Sequence, residues 1–204
     1  MKILTYNIRT WLRDPSTWRQ RADNIRRIIA DEDPDVILLQ EAIFPMTAKC
    51  VPDGYFCATP CSISHHIYIR KGYAETEHSA WHLRWCRARI RLKNARRFNI
   101  VCVHTRWEER IWKATCEDIR SLKSHGATTI AGGDWNNAPA TIRPEIWPFT
   151  VYATEGPTFC NWEGKGTGNL DYFAGEGLGS YTIRTAEGAD FTLSDHIPVV
   201  IELP

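Results

Sequence analysis

Short runs of β-branched and aliphatic residues, each meeting a polar cluster, govern what this chain can fold into. Ile3-Leu4-Thr5-Tyr6 meets Asn7, Val36-Ile37-Leu38-Leu39 meets Gln40-Glu41, and Ile100-Val101-Cys102-Val103 meets His104. Thr128-Thr129-Ile130-Ala131 runs into Gly132-Gly133-Asp134-Trp135-Asn136, and Ser194-Asp195-His196 stands against the last run, Ile197 to Leu203. Runs of this length and composition read as buried strands. Polar groups placed where such strands stop gather along one edge of a sheet, which is where open α/β layers put their sites. One such group would mean little; the repetition carries the information.

Between the strands the period changes. Trp18, Ala22, Ile25 and Ile29 recur at helical spacing, with Arg19, Asn24, Arg26 and Arg27 on the other face, predicting a helix over Ser16–Asp31. Asp14 and Ser16 suit its cap, and Pro34 forbids continuation. A second helix is expected from about Glu108 to Ser124, burying Trp112, Cys116, Ile119 and Leu122, with Gly126 as a left-handed cap. Further strands are expected at His66–Arg70, Ala88–Lys93, Phe98–Val103, Leu170–Phe173, Tyr181–Thr185 and Ile197–Leu203. The second and third of these form a hairpin through Asn94-Ala95-Arg96-Arg97. Strands alternating with helices early and strands alone later imply layered α/β, two sheets between helices. No repeat or linker divides the 204 residues, a length that suits one domain.

Composition excludes several functions. A net charge of +1 announces no global basic field, so any polyanion site must be local. Seven cysteines are an odd number without framework spacing. Strand-like residues begin at Ile3, leaving no room for a signal peptide, and no apolar stretch could cross a bilayer. The expectation is a cytoplasmic protein with reduced thiols and no membrane partner.

The polar groups fit one chemistry. Glu41, Asp134, Asp171 and Asp195 offer hard oxygen ligands, suited to Mg²⁺ or Mn²⁺ rather than zinc. Asn7 and Asn136 add neutral oxygens or amide donors, while His104 and His196 can donate to an anionic oxygen or take a proton from water. Four acids in one place repel each other; a divalent cation relieves that and then holds a phosphate. Phosphodiester hydrolysis needs these parts. Each residue also has a plainer reading: Asn7 as a turn closer, Glu41 as a solvated strand end, His104 as a core histidine, Asp134 and Asp195 as caps, Asp171 as a structural acid. Those readings explain each residue separately and not the set.

The motifs Thr5-Tyr6-Asn7, Pro34-Asp35-Val36 through Gln40-Glu41, Val103-His104, Gly133-Asp134-Trp135-Asn136, Leu170-Asp171-Tyr172-Phe173 and Ser194-Asp195-His196-Ile197-Pro198 resemble, in order, those of the endonuclease/exonuclease/phosphatase (DNase I-like) superfamily. The resemblance runs from residue 3 to 203. It implies an α/β fold, a four-layer α/β/β/α sandwich, and an Mg²⁺-dependent phosphoesterase. It implies Glu41 as principal metal ligand with Asn7 and Asp195. It implies Asp134 and Asn136 on the attacking water and the phosphate, Asp171 orienting His196, and His104 on the phosphate or leaving oxygen. Both Asp134 and the Asp171–His196 pair remain open as the base.

Departures narrow the substrate. Asn137-Ala138-Pro139 and Asp171-Tyr172 disfavour an inositol phosphatase, Asn169 stands where apurinic endonucleases carry an arginine, and neither export signal nor apolar hairpin marks a sphingomyelinase. The deadenylase-like Asp-x-Asn-x-x-Pro segment keeps RNA open. Arg87, Arg89, Arg91 and Lys93 alternate with apolar residues, a ladder of cations about 6–7 Å apart that suits nucleic-acid phosphates or a solvated edge strand. Nine tryptophans are many for this length; Trp107 and Trp162 are the candidates for substrate contact, the others for packing. Cys57-x3-Cys61-x3-His65-His66, with Cys50, is a weak zinc alternative. The reading is thus a nuclease, with DNA favoured over RNA. A protein partner completing a trimmed surface is allowed, and a lipid or small-molecule phosphoesterase is the alternative.

Overall fold

The computed structural model describes residues 1–10, 15–59, 64–123, 126–161, 163 and 165–204. In chain order the first half contains β1 (Lys2–Asn7), α1 (Pro15–Glu32), β2 (Val36–Gln40), α2 (Thr47–Cys50), β3 (Tyr55–Cys57), β4 (His65–Arg70), β5 (Ala74–Trp81), β6 (Trp85–Leu92) and β7 (Arg97–His104). The second half contains α3 (Glu109–Ser121), β8 (Thr128–Asp134), α4 (Pro139–Ile146), β9 (Thr150–Tyr152), β10 (Phe159–Cys160), β11 (Gly166–Gly168), β12 (Asp171–Gly175), β13 (Thr182–Thr185) and β14 (Val199–Glu202). One sheet has the order β13-β14-β1-β2-β4-β3 and the other β5-β6-β7-β8-β12-β9; β10 and β11 form a separate ribbon.

Three buried clusters fill the three gaps of a four-layer sandwich. Alternation along each strand sends one set inward: Ile3, Leu38, Ile67, Ile100 and Phe173 pack sheet against sheet. The opposite set on the first sheet, Leu4, Tyr6, Ile37 and Leu39, packs on Trp18, Ala22, Ile25 and Ile29 of α1. On the second sheet Val101, Val103, Ala131 and Tyr172 pack on Trp112, Cys116 and Ile119 of α3 and Ile142 and Ile146 of α4. Central strands are therefore apolar on both faces, which is why their sequences read as continuous runs. Each such side chain contributes roughly 1.5–3 kcal/mol on burial, so Ile25→Asp would detach α1.

The helix over Ser16–Asp31 is α1, one residue longer at each end. Asp14 and the Ser16 side chain lie outside the described residues. α3 is shorter than expected: it ends at Ser121, and Gly126 takes its left-handed conformation (φ +70°) five residues later. β5 gave no periodic signal because it is an edge strand whose Glu75, Glu77 and His78 face water. The expectation of strands alone after residue 135 is corrected by α4, whose Pro139 sits at the first helical turn and whose Pro144 lies inside it.

Two parallel pairs set the position of the site. β1 and β2 run in the same direction with Asn7 opposite Gln40, as do β7 and β8 with His104 opposite Asp134. β12 returns antiparallel with Asp171 opposite Asp134. The polar ends of both sheets thus finish at one edge. Gly133 is required there: a Cβ would lie 2.0 Å from the Val103 carbonyl oxygen, and its φ of +152° suits no other residue.

Candidate active site

At this shared edge the Asn7 amide bridges the two sheets. Its Nδ2 donates to Glu41 Oε1 at 3.2 Å and to Asp134 Oδ2 at 3.0 Å. His104 Nε2 lies 3.7 Å from both of those carboxylate oxygens. His196 Nε2 approaches Asp134 Oδ2 from the other side at 3.8 Å. Asp134 is fixed by two further donors: the Asn136 backbone N–H to Oδ1 at 2.9 Å and Asn136 Nδ2 to Oδ2 at 2.9 Å. Glu41 and Asn136 both hold positive φ (+49° and +50°), the strained backbone that functional edges tolerate when their surroundings enforce it.

Behind His196 stands a fully buried acid. His196 Nδ1 lies 2.8 Å from Asp171 Oδ2, and the imidazole packs on Phe159 with ring centroids 5.1 Å apart. Burial pushes the Asp171 carboxyl above its usual range, offset in part by His196. Burial would push His196 down, but the charges of Asp171, Asp134 and Asp195 outweigh it and hold the imidazolium.

Four further residues support these. Arg9, buried and at positive φ (+42°), places its guanidinium on Asp195, and its backbone N–H donates to Asn7 Oδ1 at 3.2 Å. Arg21 of α1 donates to the carbonyls of Ile8, Arg9 and Leu193, pinning the two segments that carry Asn7 and Asp195. Ser194 Oγ donates to the Asn7 carbonyl at 2.7 Å. Thr158 Oγ1 accepts the backbone N–H of Asp171 at 2.9 Å. Arg9 stands two residues after Asn7 in sequence, the one local hint; nothing in the helical period singles out Arg21.

Other expected contacts lie elsewhere. Arg87, Arg89 and Arg91 face away from the sandwich interior, and their strand runs from the edge that carries the polar cluster toward the opposite end, where Arg91 pairs with Arg97. Arg89 and Arg91 are engaged by Glu77, and Arg91 also by Glu75 at 2.5 Å. The structure does not bring this ladder to the cluster. Trp107 is 75% exposed at the mouth, whereas Trp162 falls outside the described residues. Trp135 is fully buried and stacked on Tyr172. Of the zinc alternative, Cys61 lies outside the described residues, Cys50 is buried in the core beneath α1, and His65 and His66 contact the carbonyls of His82 and Ala42.

A profile of the Endonuclease/Exonuclease/phosphatase family matches residues 4–196, a span that holds every member of this cluster. The chain belongs to that family. The family is one of phosphoester hydrolases that work with a divalent metal. No curated protein sequence matches the chain. Among solved structures it is similar to a mannosyl-6-phosphatase of Bacteroides thetaiotaomicron, with 16% identity, a TM-score of 0.77 and coverage of 100% and 99% of the two chains. It is also similar to a Bacteroides vulgatus endonuclease/exonuclease/phosphatase, at 18% identity, TM-score 0.78 and 100% and 98% coverage. D. rerio TDP2 complexed with a single-strand DNA product superposes at TM-score 0.72, with 16% identity and 99% and 98% coverage. At these identities the likeness is one of fold, a DNase I-like sandwich.

The donor set fits a hard divalent cation. Glu41, His104 and Asp134 each offer one ligand atom within 4.8 Å of the others, and Asn7 stands between the two acids. Asp195 would reach such an ion only by sharing its carboxylate with Arg9. No helix among the described residues is long and apolar enough to cross a membrane.

Proposed function

We propose that the protein is a Mg²⁺-dependent phosphodiesterase (Mn²⁺ an acceptable substitute) whose substrate is nucleic acid, DNA rather than RNA. The convergence of Asn7, Glu41, His104, Asp134 and His196 on one point carries this reading. Glu41, Asn7 and Asp195 would hold the metal, which supplies positive charge to the phosphoryl group as negative charge develops. Asp134, held in place by three N–H donors, orients the attacking water and takes its proton. His104 and His196 present Nε2 toward the phosphoryl oxygens, and Asp171 fixes the His196 ring. Asn136, held on the Thr105 carbonyl at 3.1 Å, keeps Asp134 in its rotamer.

A second assignment of the base, in which His196 takes the proton of water, requires the neutral imidazole, the form that the surrounding carboxylates disfavour. The pH–rate profiles of Asp134→Asn and His196→Gln separate the two. The variant of the true base loses the acidic limb of the profile; the variant of the donor loses the basic limb.

A panel of single-stranded DNA, duplex DNA, RNA, a phosphorylated sugar and a phosphoinositide, each with Mg²⁺ and with chelator, tests the substrate class. Metal-dependent cleavage of DNA is expected, and Asp134→Asn should lower it by about 10²–10⁴ while leaving the fold intact. Turnover of the sugar phosphate alone would move the chain to the alternative reading, that of a small-molecule phosphatase. The fold shared with the B. thetaiotaomicron mannosyl-6-phosphatase supports that alternative.

A further inference from the structure

Three segments leave the catalytic edge and end in side chains with large exposed apolar faces. Phe44, three residues after Glu41, is 56% exposed, and Trp107, three after His104, is 75% exposed. Trp81 and Leu83, at the tip of the β5–β6 hairpin, are 59% and 63% exposed. Of the seven large apolar side chains exposed among the described residues, five lie on these segments, Ile43 being the fifth. The other two, Trp147 and Tyr181, belong to the opposite end of the sheets: they precede β9 and β13, whose first residues pair toward Gly175 and Glu202. Single exposed apolar residues need no explanation; a concentration around one edge does.

Hydrogen bonds join these segments into one rim. The Ala42 N–H donates to the Ser64 carbonyl at 3.1 Å, the adjacent His65 Nε2 lies 3.0 Å from the His82 carbonyl, and the His104 N–H donates to the Arg84 carbonyl at 2.9 Å. The hairpin tip is therefore one wall of the mouth, with residues 41–44 and 104–107 beside it. Two cations sit within this apolar rim. Arg84 makes no side-chain hydrogen bond or ion pair among the described residues, and Arg106, half exposed, reaches only Glu108 at 3.8 Å. Burial and the neighbouring Arg106 disfavour the Arg84 charge and Glu108 offsets them only in part, so an incoming anion would relieve it further.

We propose that this rim reads unpaired bases, so that the substrate is single-stranded nucleic acid or a frayed strand end. This rests on the phosphodiesterase reading above and deepens it. Exposed rings offer a flat face that only a base out of its helix can stack on, because in a duplex both faces of each base are already covered. The interleaved guanidiniums match the phosphates between stacked bases, which a purely apolar membrane contact would not need. Trp107 and Trp81 supply the stacking faces, and Arg84 and Arg106 hold the phosphates that flank the scissile one.

Fluorescence anisotropy in chelator, which removes catalysis from the readout, tests this. A labelled single strand of about a dozen nucleotides should bind more tightly than its duplex, and Trp107→Ala and Trp81→Ala should each weaken it about tenfold or more. Trp107→Phe should recover most of the loss, and the wild-type protein should hydrolyse methyl p-nitrophenyl phosphate in the presence of Mg²⁺. Equal affinity for duplex, or unaltered affinity in both alanine variants, overturns the proposal. So does a rim-dependent affinity for phosphatidylcholine vesicles in place of oligonucleotides. Hydrolysis of the small ester without any oligonucleotide binding sinks the rim and spares the phosphoesterase reading. Rim-dependent binding of a strand that is never cleaved does the reverse.

Discussion

Glu32 and Asp171 are both buried acids facing a cation, yet the protein treats them in opposite ways. Glu32 receives both Arg184 guanidinium nitrogens at 2.7 Å, Lys2 Nζ at 2.9 Å and the Glu187 N–H at 2.9 Å. Burial would push its carboxyl up, but these donors outweigh it and hold it down at about 2. Asp171 faces one imidazole, and there burial wins and the carboxyl moves up. A charge surrounded by donors stabilises the fold; a charge left short of them is kept for what its partner does. The first joins the end of α1 to β1 and β13. The second holds a ring at the edge where the polar cluster gathers.

Asp171→Asn should break the comparison hardest. Removing the acid frees the His196 ring, and turnover should fall by about 10²–10⁴, as when acid–base groups lose their setting. Thermal stability should change little, because relief of a carboxylate disfavoured by burial is offset by loss of its attraction for the His196 imidazolium. A variant that loses activity only in proportion to lost folded protein would place Asp171 among structural acids beside Glu32.

Glu32→Gln is the mirror experiment. It strands Arg184 and Lys2, both able to hydrate, so the loss should be ~2 kcal/mol, the scale of charge-assisted hydrogen bonds. For a chain of this size that lowers Tm by roughly 4–8 °C, with turnover unaltered. The pH dependence has a definite sign. Because the folded carboxyl lies below its usual 4.5, its contribution is complete above pH 4.5 and is lost as pH falls through about 2. Urea midpoints of wild type and variant should converge over that window; parallel curves would mean the Glu32 charge contributes nothing.

How much of this was legible in the chain follows from range. The apolar runs of β1, β2, β7 and β8 announced their strands because both faces of each are buried, and a polar residue beside such a run stands out. Asn7, Glu41, His104 and Asp134 were therefore visible. β5 was hidden because an edge strand facing water loses its alternation, and α4 because its prolines argue against a helix. The Arg9–Asp195 contact spans 186 positions and the Arg21–Leu193 contact 172, and no local pattern encodes either. The arginines of β6 show the limit most clearly: their period put them on one face, but only the pairing of β5 with β6 reveals that Glu75 and Glu77 share it.

That pairing gives the smallest expected effect. Arg91→Gln removes an exposed guanidinium already engaged by Glu75 and Glu77, and exposed pairs of this kind are worth at most about 1 kcal/mol. Stability should move by less than that, and single-strand affinity by less than twofold. Arg84→Gln, at the mouth and in no ion pair among the described residues, should weaken the same strand severalfold and flatten its salt dependence by about one phosphate contact. The two arginines stand on or beside the same strand with the same charge. If Arg91→Gln costs as much binding as Arg84→Gln, the acids opposite the ladder do not silence it. The phosphate track would then run down the outer face of β6, with the rim no more than its beginning.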